Sequence, residues 1–181
     1  DAERDPIILI SAAFCPKWRG KKDIVLVAKA CKFDGTISFY DEKEMLEKFI
    51  EIVNDYDPDI ITGYNIQNFD LPYINKRMEV NKIPRYYGRV NDKSVFTRQA
   101  GLTQSTTIPG RVVVDPYPIL KNDPWIRFER YNLDTVAKNI LGEQKVDVKY
   151  TEMAKLWQSN KTADLKRFVD YSRKDSDLAL R

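Results

Sequence analysis

The sequence predicts an α/β fold built from layers of strands and helices. Short apolar runs of strand length come first, and from residue 41 onward strand-type runs alternate with segments of helical periodicity. No internal repeat and no linker-like stretch interrupts this order, so we predict one domain over residues 1–181. Hydrophobic residues make up 43% of the chain, which is enough for a buried core and excludes a disordered polypeptide.

Three strands are predicted at the start of the chain. Residues 7–13 form an apolar run of strand length, and the segments at residues 23–33 and 36–40 have the same character. Asp34 and Gly35 separate the last two segments, and an Asp-Gly pair between two strands is a strong signal of a hairpin turn. The pattern therefore predicts that the second and third strands form a hairpin.

A helix, a strand and a second helix are predicted next. Asp41 is the predicted N-cap of the first helix, and Glu44 stands at the capping-box position. Residues 59–64 form a compact strand. Asp70 is predicted to cap the second helix, and Pro72 is tolerated in its first turn because the N–H groups there have no helical partner. The apolar face of the first helix consists of Leu46, Phe49, Ile50 and Val53.

The middle of the chain has weaker periodicity. Residues 82–109 contain several Pro and Gly residues and a run of Thr, Ser and Gln. We predict an irregular segment with few strands and a mobile loop near residues 99–107. A short strand at residues 112–114 then ends at Asp115.

Helices are predicted in the C-terminal part. Asn132 is the predicted cap of a helix that ends at Gly142, because Asn favours the N-cap and Gly favours the residue after a helix. Two further helices are predicted at residues 151–158 and 162–180.

Charge and cysteine content restrict the possible partners only weakly. The chain has 30 basic and 27 acidic residues, and the resulting net charge of +3 is compatible with a nucleic-acid partner without arguing for one. Cys15 and Cys31 have neither metal-site nor redox-motif spacing, so we expect two reduced thiols. No apolar run has the length that spans a bilayer.

Two short motifs carry the chemistry of the sequence. In the first, Tyr64 and Asn65 follow the predicted strand, and Phe69 and Asp70 precede the predicted helix. In the second, Tyr171 and Asp175 lie four residues apart, share one helix face and border the buried stripe; Asp115 is a further carboxylate, at a strand end.

The residue types point to metal chemistry with oxygen ligands. The chain contains no His, which argues against a zinc site or a Ser/His triad. Carboxylates are the ligands that Mg²⁺ prefers, together with water and substrate phosphate. Two such ions activate a water molecule, neutralise charge on the phosphate and stabilise the leaving oxygen in nucleases.

With these motifs in this order, the chain resembles the 3′–5′ proofreading exonuclease domain of family B DNA polymerases. Tyr64, Asn65, Phe69 and Asp70 match the second exonuclease motif, and the Tyr171 segment matches the third. The similarity covers nearly the whole chain, including residues 5–11, 110–115, 131–137 and 141–142. It implies an RNase H-like mixed β-sheet flanked by helices, within a DNA-dependent DNA polymerase.

The resemblance also implies a role for each site residue. Asp70 is expected to bind the ion nearer the leaving group, directly or through water, and Asp175 the ion on the nucleophile side. Tyr171 is expected to orient the attacking water, Asn65 to hold backbone or sugar, and Phe69 to stack on the terminal base. The implied cofactors are two Mg²⁺ or Mn²⁺ ions. The implied partners are a single-stranded 3′ end or primer–template DNA and the rest of the polymerase chain, inside the cell at the replicating DNA and without a membrane.

Structural roles for the same residues stay open at this point. Asp70 also suits a plain helix cap, Asn65 a turn, Phe69 a core position, Tyr171 a core edge and Asp175 the surface. Asp115 is interpreted as structural or as a supporting residue beside the site. Five basic residues either line a DNA path or are solvated surface, the latter being the usual case: Arg127, Arg130, Lys145, Lys149 and Arg173.

The first exonuclease motif of the family, an Asp and a Glu two residues apart on a strand, has no clear counterpart. Asp1 and Glu3 have the spacing but lack an apolar strand context. We therefore expect a fragment that lacks the first strand of the fold and the polymerase palm, with unpaired sheet edges and impaired activity in isolation. Two alternatives remain open: a degenerate, non-catalytic domain that binds DNA or partner subunits, and a stand-alone nuclease of the same fold.

Overall fold

The structure is a computed structural model that describes residues 1–101, 103–143, 150–159 and 161–181. Within these residues, strands predominate in the first part of the chain and helices in the last. The elements in chain order are β1 (Leu9–Trp18), β2 (Lys21–Val27), β3 (Thr36–Ser38), α1 (Glu42–Tyr56), β4 (Ile60–Thr62), α2 (Asp70–Val80), β5 (Phe96–Ala100), β6 (Thr103–Thr107), β7 (Val112–Val114), α3 (Pro116–Asn122), α4 (Leu133–Ile140), α5 (Tyr150–Gln158) and α6 (Thr162–Leu180).

The first sheet has the order β1-β2-β3 and is mixed. β1 and β2 are antiparallel, and they are joined by a tight turn in which Arg19 and Gly20 both have positive φ. β2 and β3 are parallel, with Val25 opposite Thr36. The hairpin predicted at Asp34-Gly35 is therefore wrong. Local sequence favours a turn there, but the chain crosses over and enters β3 in the same direction as β2.

The remaining strands form two small sheets. β4 and β7 pair in parallel, and β5 and β6 pair as an antiparallel hairpin closed at Gly101, whose φ is +61°. This hairpin corrects the prediction that residues 82–109 have few strands and a mobile loop. The Thr-rich run, interpreted as a loop, instead supplies β-branched residues to β6.

The middle strand β2 is buried on both faces. Ile24 and Leu26 pack into the main core, which also contains Met45 and Leu46 of α1. The alternate residues of the strand face the other way and pack with α6 in a second cluster made of Val25, Val27, Leu165 and Val169. The predicted α/β class, with a mixed sheet flanked by helices, is confirmed. The strands are divided among three sheets, and among the described elements only β2 has a neighbouring strand on both sides.

A buried ion pair fixes α2 against α1. Arg77 of α2 donates two hydrogen bonds to the Glu42 carboxylate at the start of α1, at 2.8 and 2.6 Å. The same carboxylate accepts from the Ile7 N–H and from the Asn81 amide. Because both carboxylate oxygens have donors, the buried charge is compensated, and the orientation of α2, which carries Asp70, is fixed.

The predicted helix caps of α1 and α4 are confirmed. The Glu44 N–H donates to Asp41 Oδ1 at 2.9 Å, and the Thr135 N–H donates to Asn132 Oδ1 at 2.8 Å. Gly142 follows α4 with a φ of +68°, as expected of a residue that ends a helix. In the part of the chain that the structure describes, no helix combines the length and apolarity needed to cross a membrane.

Candidate active site

The segment from Tyr64 to Asp70 connects β4 to α2. The helix begins at Asp70 and its N-cap is Phe69, whose carbonyl oxygen accepts the Tyr73 N–H at 3.1 Å. The prediction that Asp70 is the N-cap is therefore wrong by one residue. Phe69 makes no side-chain capping bond, and the Asp70 carboxylate stands in the first turn, where the helix dipole favours a negative charge.

A tight turn at Asn65 brings the chain into α2. Asn65 has a φ of +61°, a left-handed conformation that Asn tolerates better than most residues. Its carbonyl oxygen accepts the N–H groups of Asn68 and Phe69, and its side-chain oxygen accepts the Asn68 amide at 3.1 Å. Asn65 is therefore a turn residue; contact with DNA backbone or sugar stays a prediction.

Phe69 lies on the surface. Its side chain is 63% exposed, and its ring centroid lies 6.0 Å from that of Tyr73 on the next turn. The core position considered for this residue is therefore wrong. An exposed aromatic ring directly before Asp70 has the geometry needed to stack on a base, although stacking itself stays a prediction.

Asp70 is an exposed residue, but surrounding protein atoms remove much of the hydration of its carboxyl group. Loss of hydration raises the pKa of this carboxyl to about 6, a hydrogen bond from its own backbone N–H opposes the rise, and the negative charge of Asp115 adds to it. Near pH 7 the group is mostly ionised and reachable from solvent, as a ligand for a hard cation must be.

Asp115 accepts hydrogen bonds from the backbone of the Asn65 turn. This carboxyl group is only 7% exposed and follows β7, the partner of β4. Its Oδ1 accepts the Asn65 N–H at 2.9 Å and the Tyr117 N–H at 3.0 Å, and its Oδ2 accepts the Gln67 N–H at 3.0 Å. The geometry agrees with the interpretation of Asp115 as a supporting residue.

Side chains of the same turn are bonded to the β5–β6 hairpin. Gln67 Oε1 accepts the Thr106 N–H at 2.6 Å, and Asn68 Oδ1 accepts the Gln104 N–H at 3.0 Å. Sequence reasoning missed Gln67 and Asn68, because their partners lie 36 to 39 positions away and belong to a hairpin that was not predicted.

Tyr64 holds the segment that precedes α4. Its hydroxyl donates to the Tyr131 carbonyl oxygen at 2.8 Å, and its ring meets that of Tyr117 edge-on at 5.5 Å. Burial, with smaller contributions from the charges of Tyr117, Asp115 and Tyr131, raises the pKa of the phenol to about 12. Tyr64 is therefore a structural anchor that stays protonated at physiological pH.

Tyr171 and Asp175 lie one turn apart on α6, as predicted. Tyr171 packs against the small cluster of Leu156 and Phe168, and Asp175 is partly buried. Beside Asp175, the Ser176 hydroxyl lies 2.8 Å from that of Ser11 on β1, which joins this turn of the helix to the sheet. The pair is held by regular helix geometry and apolar packing; its role towards metal and water stays a prediction.

Asp1 and Glu3 do not form a strand. The Glu3 N–H donates to Asp1 Oδ1 within a turn, and the Glu3 carboxylate pairs with Lys76 at 3.2 Å. Across the described ranges, no group of three or more His, Cys, Asp or Glu side chains has the arrangement of a metal site. Asp70 and Asp175 remain the two carboxylates that the resemblance names as ligands, and that role stays a prediction.

The basic residues considered for a DNA path fall into three groups. Arg127 and Arg130 are exposed. Arg173 pairs with Asp23 at 2.8 Å and donates to the carbonyl oxygen of Asp34, so it connects α6 to β2 and to the segment before β3. Lys145 and Lys149 lie outside the described residues.

Comparison with known proteins identifies the family. The model of the family described as DNA polymerase family B, exonuclease domain, matches residues 1–136. The DNA polymerase delta catalytic subunits of Plasmodium falciparum and Caenorhabditis elegans are each 36% identical to this chain, over 199 and 201 residues, covering 100% of the chain and 18% of each relative. A DNA polymerase of Methanocaldococcus jannaschii is 30% identical over 174 residues, covering 96% of the chain and 10% of the relative. The chain thus spans less than a fifth of the length of these relatives, and it belongs to the family B DNA polymerase exonuclease domain family.

Proposed function

We propose that this chain is the part of a DNA-dependent DNA polymerase that removes misincorporated nucleotides from a primer 3′ end. The observation that carries the proposal is the exposed Phe69 ring directly before the accessible Asp70 carboxylate at the start of α2. An aromatic platform beside a metal-binding carboxylate suits a terminal base and its phosphate. In this proposal the chain works inside the cell at replicating DNA, attached to the rest of the polymerase.

Each residue has a role in the proposed reaction. Phe69 stacks on the terminal base irrespective of its identity, and Asn65 holds the sugar–phosphate backbone. Tyr171 orients a water molecule for attack on the terminal phosphodiester, so that the 3′ oxygen of the preceding nucleotide leaves. Placing the water and the phosphate in line is the main contribution of such residues.

The donor set fits hard divalent cations. Asp70 and Asp175 are oxygen donors, and Mg²⁺ is typically bound by one or two carboxylates together with water and substrate phosphates. We propose that these two residues hold two Mg²⁺ or Mn²⁺ ions with the help of the DNA phosphate. When bound, the ions supply charge neutralisation at the phosphate and a more acidic water.

A second candidate function is a non-catalytic scaffold that binds DNA or partner subunits. It is favoured by the absence, among the residues with described positions, of a third carboxylate grouped with the candidate ligands. For the same reason we propose that nuclease turnover by this chain alone is severely impaired, because two carboxylates leave the ions loosely held.

The deciding experiment follows a 3′-labelled single-stranded oligonucleotide in Mg²⁺ and in Mn²⁺, in parallel with its binding in EDTA. Asp70→Ala is compared with Asp134→Ala, which removes an exposed acidic residue from the first turn of α4. We expect slow metal-dependent degradation that falls at least about a hundredfold in Asp70→Ala only, since metal stabilisation of the transition state is worth several kcal/mol.

Other outcomes separate the candidates. Binding of the oligonucleotide without any cleavage in either metal supports the scaffold. Cleavage that survives in Asp70→Ala contradicts the assigned role of this carboxylate, and the absence of both binding and cleavage in the folded chain contradicts both functions.

A further inference from the structure

Both oxygens of the Asp115 carboxylate accept hydrogen bonds from backbone N–H groups. Two of its three donors, Asn65 and Gln67, lie 50 and 48 positions away in the turn before α2, and only Tyr117 is local. A carboxylate accepts on both oxygens, whereas an amide accepts on one and donates from the other side. The contacts therefore use an acceptor on both sides of this side chain, which a carboxylate provides and an amide does not.

The conformation of the Asn65 turn needs stabilising contacts. Asn65 has a positive φ, and a strained conformation of this kind persists only where surrounding contacts determine it. The two bonds that Asp115 accepts from this turn are charge-assisted, which makes them about twice as strong as neutral ones. The turn also sets the direction of Phe69 and the start of α2, because the Asn65 carbonyl oxygen accepts the Phe69 N–H.

We propose that Asp115 is a positioning residue, which holds the Asn65–Phe69 turn in the conformation that binds the 3′-terminal nucleotide. It acts through the backbone of Asn65 and Gln67 and does not touch the DNA. This inference rests on the proposed function, because it assigns the turn to DNA binding.

A simpler role for Asp115 is to cap the short helix α3 through the Tyr117 N–H. The two roles predict different behaviour for Asp115→Ser. Serine is a good N-cap and keeps the bond to Tyr117, but its single oxygen cannot also satisfy the N–H groups of Asn65 and Gln67. Asp115→Asn keeps the shape of the side chain and turns an N–H donor towards the turn.

The experiment measures binding of a labelled single-stranded oligonucleotide in EDTA to the chain and to Asp115→Asn, Asp115→Ser and Asp123→Asn. Asp123 is the matched control, because its carboxylate also accepts two N–H groups, from Trp125 and Ile126, within a local turn. We expect both Asp115 variants to bind about tenfold more weakly, as for the loss of one charged hydrogen bond, and Asp123→Asn to bind like the unmodified chain.

A double variant tests whether Asp115 acts through the turn. Phe69→Ala is combined with Asp115→Asn, and we expect the Phe69→Ala penalty to shrink in the double variant, because the ring is already misplaced. Fully additive effects would overturn the proposal, since they indicate two independent losses. Amide NMR shifts of Asn65 and Gln67, read below the melting temperature of each variant, are expected to move upfield in both Asp115 variants.

The outcomes are distinguishable. Unchanged binding by Asp115→Ser would overturn the proposal in favour of helix capping, as would unchanged amide shifts at Asn65 and Gln67. If the unmodified chain binds no oligonucleotide, the proposed function fails together with this inference. Normal binding by the unmodified chain and by both Asp115 variants overturns the inference alone.

Discussion

The candidate site residues fall into two halves along the chain, the Asn65–Asp70 segment and the Tyr171–Asp175 turn of α6, and the two are held in place by different forces. The turn at Asn65 depends on polar contacts, because Asp115 bonds its backbone and the β5–β6 hairpin bonds its side chains. The Tyr171–Asp175 turn belongs to a long helix whose buried face packs on β2 and α5. The first half is therefore sensitive to a lost charge, and the second to a lost volume. The comparison also separates residues that serve stability from residues that serve binding.

The strongest test of this comparison makes one substitution in both halves. Phe168→Ala removes a ring that is 7% exposed and packs edge-on with Trp157, whereas Phe69→Ala removes a ring that is 63% exposed. We expect Phe168→Ala to lower the free energy of unfolding by about 3–5 kcal/mol, through lost burial and a cavity. Phe69→Ala is expected to change it by less than about 0.5 kcal/mol. Urea unfolding followed by circular dichroism measures both, and similar losses would break the comparison.

The second test measures oligonucleotide binding instead of stability. If Phe69 stacks on a base, Phe69→Ala weakens binding of a single-stranded oligonucleotide by about 1–3 kcal/mol, roughly five- to 150-fold. Tyr40→Ala is the control, because Tyr40 is an aromatic residue that is 99% exposed and comes after the end of β3, outside the candidate site residues. Fluorescence anisotropy gives both dissociation constants. Equal weakening in the two variants would show that any exposed ring contributes to binding. It would contradict a specific stacking role for Phe69.

The sequence predicted those features that depend on neighbouring residues. The caps at Asp41 and Asn132 are set by side chains three residues from their donors, and the apolar run at residues 24–27 indicated the strand that the structure has as β2. The α/β class and the family followed from such local signals and from the order of the motifs.

The features that the sequence did not reveal depend on distant partners. The direction of β3 is decided by its pairing with β2, and the β5–β6 hairpin by a strand register that its Thr-rich sequence barely indicates. The N-cap of α2 is Phe69 and not Asp70, and the turn at Asn65 that leads into this helix is bonded to Asp115, 50 positions away. The roles of Asp70, Asp175 and Tyr171 towards metal and water stay predictions of the resemblance.

The smallest expected effect concerns the charge of Asp70 in the metal-free protein. Its pKa is raised from the ordinary 3.8 to about 6, mainly by loss of hydration. The folded state therefore holds this proton more tightly than the unfolded state, so the stabilisation is complete below pH 4 and is lost as the pH rises through 6. Asp70→Asn should melt at a higher temperature than the unmodified chain at pH 7 in EDTA, and the difference should shrink towards pH 4. Because solvent screens this accessible group, we expect less than about 1 kcal/mol, or roughly 2–4 °C.

A carboxyl group with the opposite shift is the control for this pH dependence. Hydrogen bonds from Arg19 and then Trp18 lower the pKa of Asp55, so Asp55→Asn should melt at a lower temperature at pH 7 and approach the unmodified chain as the pH falls towards the titration of that carboxyl. Added Mg²⁺ sharpens the contrast, because a ligand that binds only the folded state raises the melting temperature. The unmodified chain should gain stability in Mg²⁺ and Asp70→Asn should not. A gain of equal size in both would place the ion elsewhere and leave the Asn65–Asp70 half of the site with DNA binding as its only role.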